Sequence, residues 1–219
     1  MSTLVETLAP ARGGSRARVA YSVALVAGGS LLMAGLAQLS IKLPFTPVPI
    51  TGQTLGALLI GASFGPWLGG AALALYLVEG WVGLPFYAQG QHGTTATLFH
   101  PSVGLASAGY LWGFILAAVV VGWLAHRGWD RNLRSAIGAM FLGELVLYAV
   151  GLVWLATAIN VPIVGNEAAC NFSSGAGCDA LQLGLYPFLI GDVLKLLLAA
   201  VLLPTAWRLT KGRRTPRGD

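Results

Sequence analysis

The stretch "TGQTLGALLIGASFGPWLGGAALALYLVEG", residues 51–80, is apolar almost throughout but is interrupted near its middle by Gly65, Pro66 and Trp67. Proline lacks the backbone N–H that a helix interior needs, and a Gly-Pro pair is typical of a turn. The run is also longer than the about 20 residues that cross a bilayer once. We therefore predict two shorter helices joined by a tight turn, rather than one long helix.

The composition of the chain indicates that these helices lie in a membrane. Of the 219 residues, 56% are hydrophobic and 10% are charged, whereas soluble domains carry about 25% charged residues. The strict alternation of polar and apolar residues that is typical of barrel strands is missing. The sequence therefore predicts an all-α integral membrane protein with six transmembrane helices in one domain, 19–206. Besides 51–80, the apolar runs that are long enough to cross are 19–41, 104–125, 135–159 and 183–206.

The basic residues predict the orientation of the helices. All of the 13 lysines and arginines except Lys42 and Lys195 precede the first helix, separate the fourth from the fifth, or follow the sixth. With six crossings these places lie on one side, which the positive-inside bias makes the cytoplasm. Both termini, with the basic segments 1–18 and 207–219, are therefore predicted to be cytoplasmic. Topology control and contact with lipid headgroups explain this charge better than nucleic-acid binding.

Three loops are predicted on the outer side, and the first two carry groups that suit a ligand. The first, 42–54, contains three prolines, which hold the backbone extended, so we predict a stiff cap. The second, 79–102, mixes aromatic side chains with amides and with His92 and His100. Aromatic walls with a few polar groups suit a small organic ligand, and an interfacial aromatic belt is the alternative. The histidines lack a local cluster of metal ligands, so no metal site is predicted.

The third outer loop, 160–182, contains the two cysteines of the chain, Cys170 and Cys178, eight positions apart. On this topology they face an oxidising compartment, where a disulfide is stable. Closing so short a loop contributes about 2.5 kcal/mol in the chain-entropy model. We predict a disulfide, with free thiols as the alternative. A reactive cysteine is disfavoured because no histidine or basic residue lies beside either one.

Two charges interrupt the last apolar run, "PFLIGDVLKLLLAAVLLP", residues 187–204. One charge at a helix centre costs about 2.5–3.5 kcal/mol, and such charges usually face a cavity or a pathway. Asp192 and Lys195 are three positions apart and therefore share one helix face. We predict that they form a pocket floor roughly 10–15 Å below the start of the sixth helix. A self-neutralising ion pair that only packs is the alternative.

Five segments, in this order, closely resemble the BioY family, the substrate-binding membrane subunits of biotin transporters of the energy-coupling factor type. The resemblance implies a six-helix subunit with an outward-opening biotin pocket that the first loop closes. It also implies a separate module of one transmembrane coupling protein and two cytoplasmic ATPases, so ATP is used by partner subunits and this chain needs no cofactor. The segments are "TPVPITGQT" (46–54), "YLVEGWVGLPFYAQG" (76–90), "GYLWGF" (109–114), "YAVGLVWL" (148–155) and "PFLIGDVLK" (187–195).

The resemblance also implies roles for individual residues. Biotin has a cyclic urea, an apolar thioether ring and a carboxylate tail. Asp192 can accept hydrogen bonds from urea N–H groups and Lys195 can donate to an oxygen, although the sequence leaves open which end of biotin meets Lys195. Two aromatic residues would flank the ring system, and an amide and two hydroxyl groups would add polar contacts. These further residues are Phe86, Tyr87, Gln89, Thr46 and Thr51.

The first helix carries a stripe of small residues, Ala20, Ala24 and Gly28, at four-residue spacing. Such a stripe lets another helix approach closely. The resemblance implies contact with the coupling protein, and packing within this subunit is the alternative.

Other functions are weighed against biotin uptake. A sister subunit for another vitamin, such as thiamine or riboflavin, would share the fold and the partners. An intramembrane enzyme is disfavoured because an H-E-x-x-H motif and paired intramembrane aspartates are missing, and no P-loop is present for ATP hydrolysis. Glu144 departs from the family pattern near the middle of the fifth helix, where an apolar residue is expected. It is either a neutral, hydrogen-bonded core acid or a pocket residue. The expected location is a bacterial or archaeal cell membrane, with several crossings.

Overall fold

The computed structural model describes residues 3–8, 14–103, 105–165, 170–171 and 177–212. The remaining parts of the predicted terminal segments and of the third outer loop lie outside the described residues. The helices are α1 (Leu4–Leu8), α2 (Ser15–Gln38), α3 (Gln53–Trp81), α4 (Thr95–Phe99), α5 (Ala108–His126), α6 (Leu133–Ala158), α7 (Ala180–Gly184) and α8 (Leu189–Gly212). The strands are β1 (Ser40–Ile41) and β2 (Ile50–Thr51), and short 3-10 turns cover Ala88–Gly90 and Pro101–Val103.

In the described part of the chain, five helices are long and apolar enough to cross a membrane, namely α2, α3, α5, α6 and residues Leu189–Thr210 of α8. Their bounds follow the predicted apolar runs with small shifts. The largest shift is in α8, which begins at Leu189 rather than at 183, because residues 185–188 form turns after the short helix α7. The chain is therefore a helical, multi-pass membrane protein.

Helix α3 is broken at the Gly-Pro pair. Gly65 has φ 82° and ψ 178°, which no helix interior adopts, and Pro66 follows it. The side chain Nε2 of Gln53 donates to the hydroxyl of Tyr76 at 2.8 Å, although the two residues are 23 positions apart. In a continuous helix that separation would be about 35 Å. Residues 53–64 and 66–81 therefore lie side by side. The first and last residues of α3, its two open ends, lie at the same end of the bundle.

Small residues let α5 pack closely between α3 and α6. A Cβ added at Gly122 would lie 2.5 Å from the carbonyl carbon of Gly65 and 2.6 Å from the nitrogen of Pro66. On the other side of α5, a Cβ at Gly113 would lie 2.8 Å from the carbonyl oxygen of Leu147. Close backbone approach through small residues is the usual way that membrane helices associate. The α3 reversal is thus held directly against α5.

The N-terminal segment includes a short helix that the sequence pattern did not predict. The hydroxyl of Tyr21, in α2, donates to the carbonyl of Val5 in α1 at 3.2 Å. Thr3 is buried, and its side chain lies against the α3 reversal, since a Cβ at Gly65 would be 2.8 Å from its Cγ2. Helix α1 therefore covers the end of the bundle at which α3 turns back.

Substitution of Gly122 by alanine tests the close packing at the reversal. The added methyl group meets backbone atoms that cannot move independently, so we expect the free energy of unfolding to fall by about 1–3 kcal/mol. Gly35→Ala is the matched control, because a Cβ there meets nothing within 4 Å and alanine favours helix. The measurement is the thermal unfolding midpoint in detergent. Equal midpoints for the two variants would contradict the described contact.

Candidate functional site

A pocket lies at the end of the bundle where both open ends of α3 meet the first residues of α5 and α8. The free space within its lining is about 620 Å³, including the part that is open to solvent. The lining is mostly apolar but includes polar groups from α3, α5, α6, α8 and the second loop. The lining residues are Val48, Pro49, Thr51, Gln53, Thr54, Tyr87, Ala88, Gln91, Leu105, Ser107, Tyr110, Leu111, Phe114, Leu147, Tyr148, Phe188, Asp192 and Lys195.

The charged pair of α8 lies in this lining, as an ion pair. Lys195 Nζ donates to Asp192 Oδ1 at 2.9 Å, and Asp192 is only 3% exposed. The two residues follow Leu189 by three and six positions, which places them about 5 and 9 Å along the helix axis. The predicted depth of 10–15 Å was too large because α8 begins later than the sequence pattern indicated. The pair is both self-neutralising and open to the pocket.

Two tyrosines that we did not single out from the sequence complete this part of the site. Tyr148, in α6, donates its hydroxyl to Asp192 Oδ2, so both carboxylate oxygens of Asp192 accept a hydrogen bond. The ring of Tyr110, in α5, lies edge-on to that of Tyr148 at 6.1 Å, and its hydroxyl donates to the carbonyl of Gly184 at 2.8 Å. Both tyrosines stand inside motifs that carried the family resemblance, which was the available signal.

The opposite part of the lining comes from the start of α3 and from the second loop. Gln53 is 4% exposed and is fixed by its bond to Tyr76. Tyr87 is buried, its ring lies edge-on to that of Tyr76 at 5.6 Å, and its hydroxyl donates to the carbonyl of Leu77 at 2.6 Å. Thr51, the last residue of β2, also lines the pocket. Of the predicted pocket residues, Asp192, Lys195, Thr51 and Tyr87 are thus brought together.

The other three predicted residues lie outside the lining. Thr46 is buried in the first loop, where its hydroxyl donates to the carbonyl of Leu183 at 2.6 Å and accepts from the amide of Val48 at 3.2 Å. Gln89 is exposed, with a left-handed φ of 62°, and Gln91 lines the pocket in its place. Phe86 is partly buried against the core, and its carbonyl accepts from Tyr76 at 3.3 Å.

The side chain of Gln38, near the end of α2, holds the second loop. Its Nε2 donates to the carbonyls of Tyr87 at 3.1 Å and Phe86 at 3.3 Å, while its Oε1 accepts from the amide of Gly90 at 3.0 Å. These contacts enclose Gln89 and fix the turn in which it lies. The conformation of the loop beside the pocket therefore depends on the position of α2.

The small-residue stripe of α2 faces outward. Ala20, Ala24 and Gly28 are all exposed, and a Cβ added at Gly28 would meet no atom within 4 Å. Among the residues that the structure describes, none packs over this stripe.

The third outer loop contains a disulfide between Cys170 and Cys178. Cys178 is 3% exposed and belongs to the hydrophobic core that also includes Leu183 and Phe188. The disulfide therefore lies beside the segment that leads into α8.

No metal site is found among the described residues, which hold no group of three or more His, Cys, Asp or Glu side chains placed to bind an ion. His92 and His100 are exposed. Glu144, by contrast, is buried in α6, and its Oε1 has no hydrogen-bond partner.

Comparisons with known proteins agree with the family resemblance. A model of the BioY family matches residues 7–212. The biotin transporter BioY of Rhizobium etli is 33% identical over 169 residues, which cover 74% of this chain and 79% of that protein. The biotin transporter BioY of Thermotoga maritima is 33% identical over 171 residues, which cover 78% and 86%. A crystal structure of the S-component for biotin from an ECF-type ABC transporter has a TM-score of 0.68 at 20% identity, covering 93% of this chain and 96% of that one, which shows a shared fold.

Proposed function

The chain belongs to the BioY family, and on this premise we propose that it takes up biotin as the substrate-binding subunit of an energy-coupling factor transporter. It is a transport subunit and not an enzyme. The observation that carries the proposal is the Asp192–Lys195 pair, which lies in the lining of the pocket between α3, α5 and α8. Charged side chains inside a membrane helix are costly, and they usually mark a ligand site or a pathway.

The polar groups of the pair match those of biotin. Each carboxylate oxygen of Asp192 has a second lone pair after accepting from Lys195 or Tyr148, and so it can also accept from the urea N–H groups of the ligand. Lys195 uses one of its three donors on Asp192 and keeps two for an oxygen of biotin. The ligand can therefore bind without breaking the existing hydrogen bonds of the site.

The rest of the lining suits the apolar part of biotin. Phe114, Leu111, Leu147 and Phe188 provide aromatic and aliphatic surface, which excludes water from the polar contacts and strengthens them. Thr51 and Tyr87, which the family resemblance implied as contacts of biotin, lie on the opposite side of the pocket. We assign the amide contact of the second loop to Gln91 rather than to Gln89.

The first loop is the proposed cover of the pocket. Val48 and Pro49 line the pocket, and the hydroxyl of Thr46 joins the loop to the carbonyl of Leu183 in α7. Strand pairing of Ser40 with Thr51 and of Ile41 with Ile50 closes the base of the loop. In this proposal Thr46 acts on biotin through the position of the loop and does not touch it.

We propose six crossings with both termini in the cytoplasm of a bacterial or archaeal cell. The reversal at Gly65 makes α3 a pair of crossings, so the ends of α2, α5, α6 and α8 that carry arginine fall on one side. At that side the carboxylate of Asp130 accepts from the indole N–H of Trp207, and Arg131 lies over the Trp207 ring at 4.8 Å. The pocket opens at the other end, which the positive-inside bias makes the outside.

The partners in this proposal are one transmembrane coupling protein and two cytoplasmic ATPases. The exposed stripe of α2 is the proposed contact with the coupling protein, because small residues on an uncovered helix face allow a second helix to approach closely. No cofactor is assigned to this chain.

The orientation is tested by fusing to the C terminus a fluorescent protein that folds only in the cytoplasm. We expect fluorescence from this fusion and none from a control fusion to a chain that ends in the loop 160–165. Fluorescence of the second fusion alone would reverse the proposed orientation.

The partner contact is tested by Ala20→Leu and Ala24→Leu. The added side chains fill the space that a second helix needs, so co-purification with the coupling module should be lost while biotin binding is kept. Ala71→Leu is the matched control, because Ala71 is exposed on α3 and lies outside the stripe. Intact assembly of both α2 variants would contradict the contact.

The ligand site is tested by isothermal titration of the purified subunit with biotin and with a carboxylate-free biotin amide. Asp192→Asn and Lys195→Met each remove one member of a buried ion pair and one charged hydrogen bond to the ligand. We expect each to weaken biotin binding by about tenfold to over a hundredfold. If the amide loses affinity in the wild type but is unaffected by Lys195→Met, the tail of biotin meets Lys195.

Two results would contradict the proposal. Near-native biotin affinity in both variants would reduce the pair to a structural element. Tighter binding of thiamine or riboflavin than of biotin to the wild type would reassign the subunit to another vitamin.

A further inference from the structure

Glu144 is a buried acid that the proposed biotin contacts do not use. It lies near the middle of α6, is 8% exposed, and its Oε1 accepts no hydrogen bond from any residue that the structure describes. Tyr148 follows it by one helical turn, so the two side chains share a face of α6. Together with Asp192 they border a groove between α6 and α8 that is otherwise apolar. Tyr148 and Asp192 therefore separate Glu144 from the biotin pocket, which they also line.

The charges of this cluster balance only if one acid carries a proton. The titratable groups around Glu144 are Tyr148 on its own helix, Asp192 of α8 with its ion-pair partner Lys195, and Tyr110 of α5 behind Tyr148. Two carboxyl groups thus share one ammonium group. An uncompensated carboxylate is strongly unfavourable in so apolar a place, so the two acids hold one proton between them.

The hydrogen bonds assign that proton to Glu144. Asp192 accepts from Lys195 at one oxygen and from Tyr148 at the other, which is the pattern of an ionised carboxylate. Glu144 has an oxygen that accepts from no donor, which is what a neutral acid tolerates better than a carboxylate.

We propose that Glu144 sets the charge of the biotin pocket, and that biotin binds tightly only while Glu144 is the neutral acid. The inference rests on the proposed function and adds to it a residue that determines when the site accepts its ligand. No contact between Glu144 and biotin is required, so Glu144 is a positioning residue that acts through Asp192 and Lys195.

Loss of the proton weakens the site whichever end of biotin meets Lys195. With Glu144 ionised, Lys195 is shared between two carboxylates and its free donors are drawn away from the ligand oxygen. If the proton passes from Glu144 to Asp192 instead, the carboxyl group of Asp192 loses acceptor capacity toward the urea N–H groups. Either change removes a charged hydrogen bond from the complex.

The test is the pH dependence of biotin affinity in the wild type and in Glu144→Gln, measured by titration calorimetry from about pH 6 to about pH 9. Over this range the carboxylate of biotin stays ionised. We expect wild-type affinity to fall with rising pH, by up to about tenfold per pH unit, since one proton is linked to binding. Glu144→Gln has no proton to lose, so its affinity should stay nearly constant.

Two further variants separate this effect from a general one. Glu144→Asp keeps the acid and should keep the fall in affinity with pH. Glu79→Gln is the matched control, because Glu79 is a membrane-helix acid that accepts from Ser30 and does not line the pocket, so it should behave as the wild type. Thermal unfolding midpoints at each pH show that every variant is folded.

The outcomes are distinct. Parallel pH profiles in the wild type and in Glu144→Gln would overturn the role of Glu144 while leaving biotin binding in place. A wild-type protein that binds no biotin at any pH would overturn the proposed function itself.

Discussion

The reversal of the chain at Gly65 is the constraint on which the rest of the structure depends. It brings the start of α3 beside the later half of the same helix, where Gln53 forms a hydrogen bond with Tyr76 far from the reversal. Because both open ends of α3 then lie at one end of the bundle, the first and second loops meet over the same space. A straight α3 would place those loops on opposite sides of the membrane, and no pocket would form between them and α8.

The pocket that results has its two charged side chains, Asp192 and Lys195, on one side. Each oxygen of Asp192 accepts one hydrogen bond, from an ammonium and from a phenol, and the opposite lining uses amide and hydroxyl groups that the protein already holds in place. A buried polar network of this kind is stable only when every member has a partner. Glu144 is the exception in this network, because its Oε1 has no hydrogen-bond partner among the described residues. This acid is what makes the cluster more than an isolated ion pair.

Much of this arrangement could be predicted from the sequence. The apolar runs, the break at Gly65 and the placement of Asp192 and Lys195 in a pocket follow from hydropathy, from proline chemistry and from the cost of intramembrane charge. The comparisons confirm the family resemblance that the motifs indicated. The depth of the pair was wrong because only the turns at 185–188 determine where α8 begins, and apolar turns resemble helix in composition. Gln89 and Gln91 differ only in loop conformation, which no periodicity reveals, and Tyr148 was hidden because its partner lies 44 positions away.

The contacts of Gln38 have a mechanical consequence. This residue ends the helix whose opposite half carries the small-residue stripe, and it holds the backbone on both sides of Gln89 through its amide group. A tilt of α2 therefore cannot leave the second loop unmoved unless those hydrogen bonds break. Since Tyr87, Ala88 and Gln91 of that loop line the pocket, a displacement of α2 is transmitted to the pocket lining through the side chain of Gln38, beside the pairing of β1 with β2. By linkage the transmission is reciprocal, so occupancy of the pocket must also bias the angle of α2.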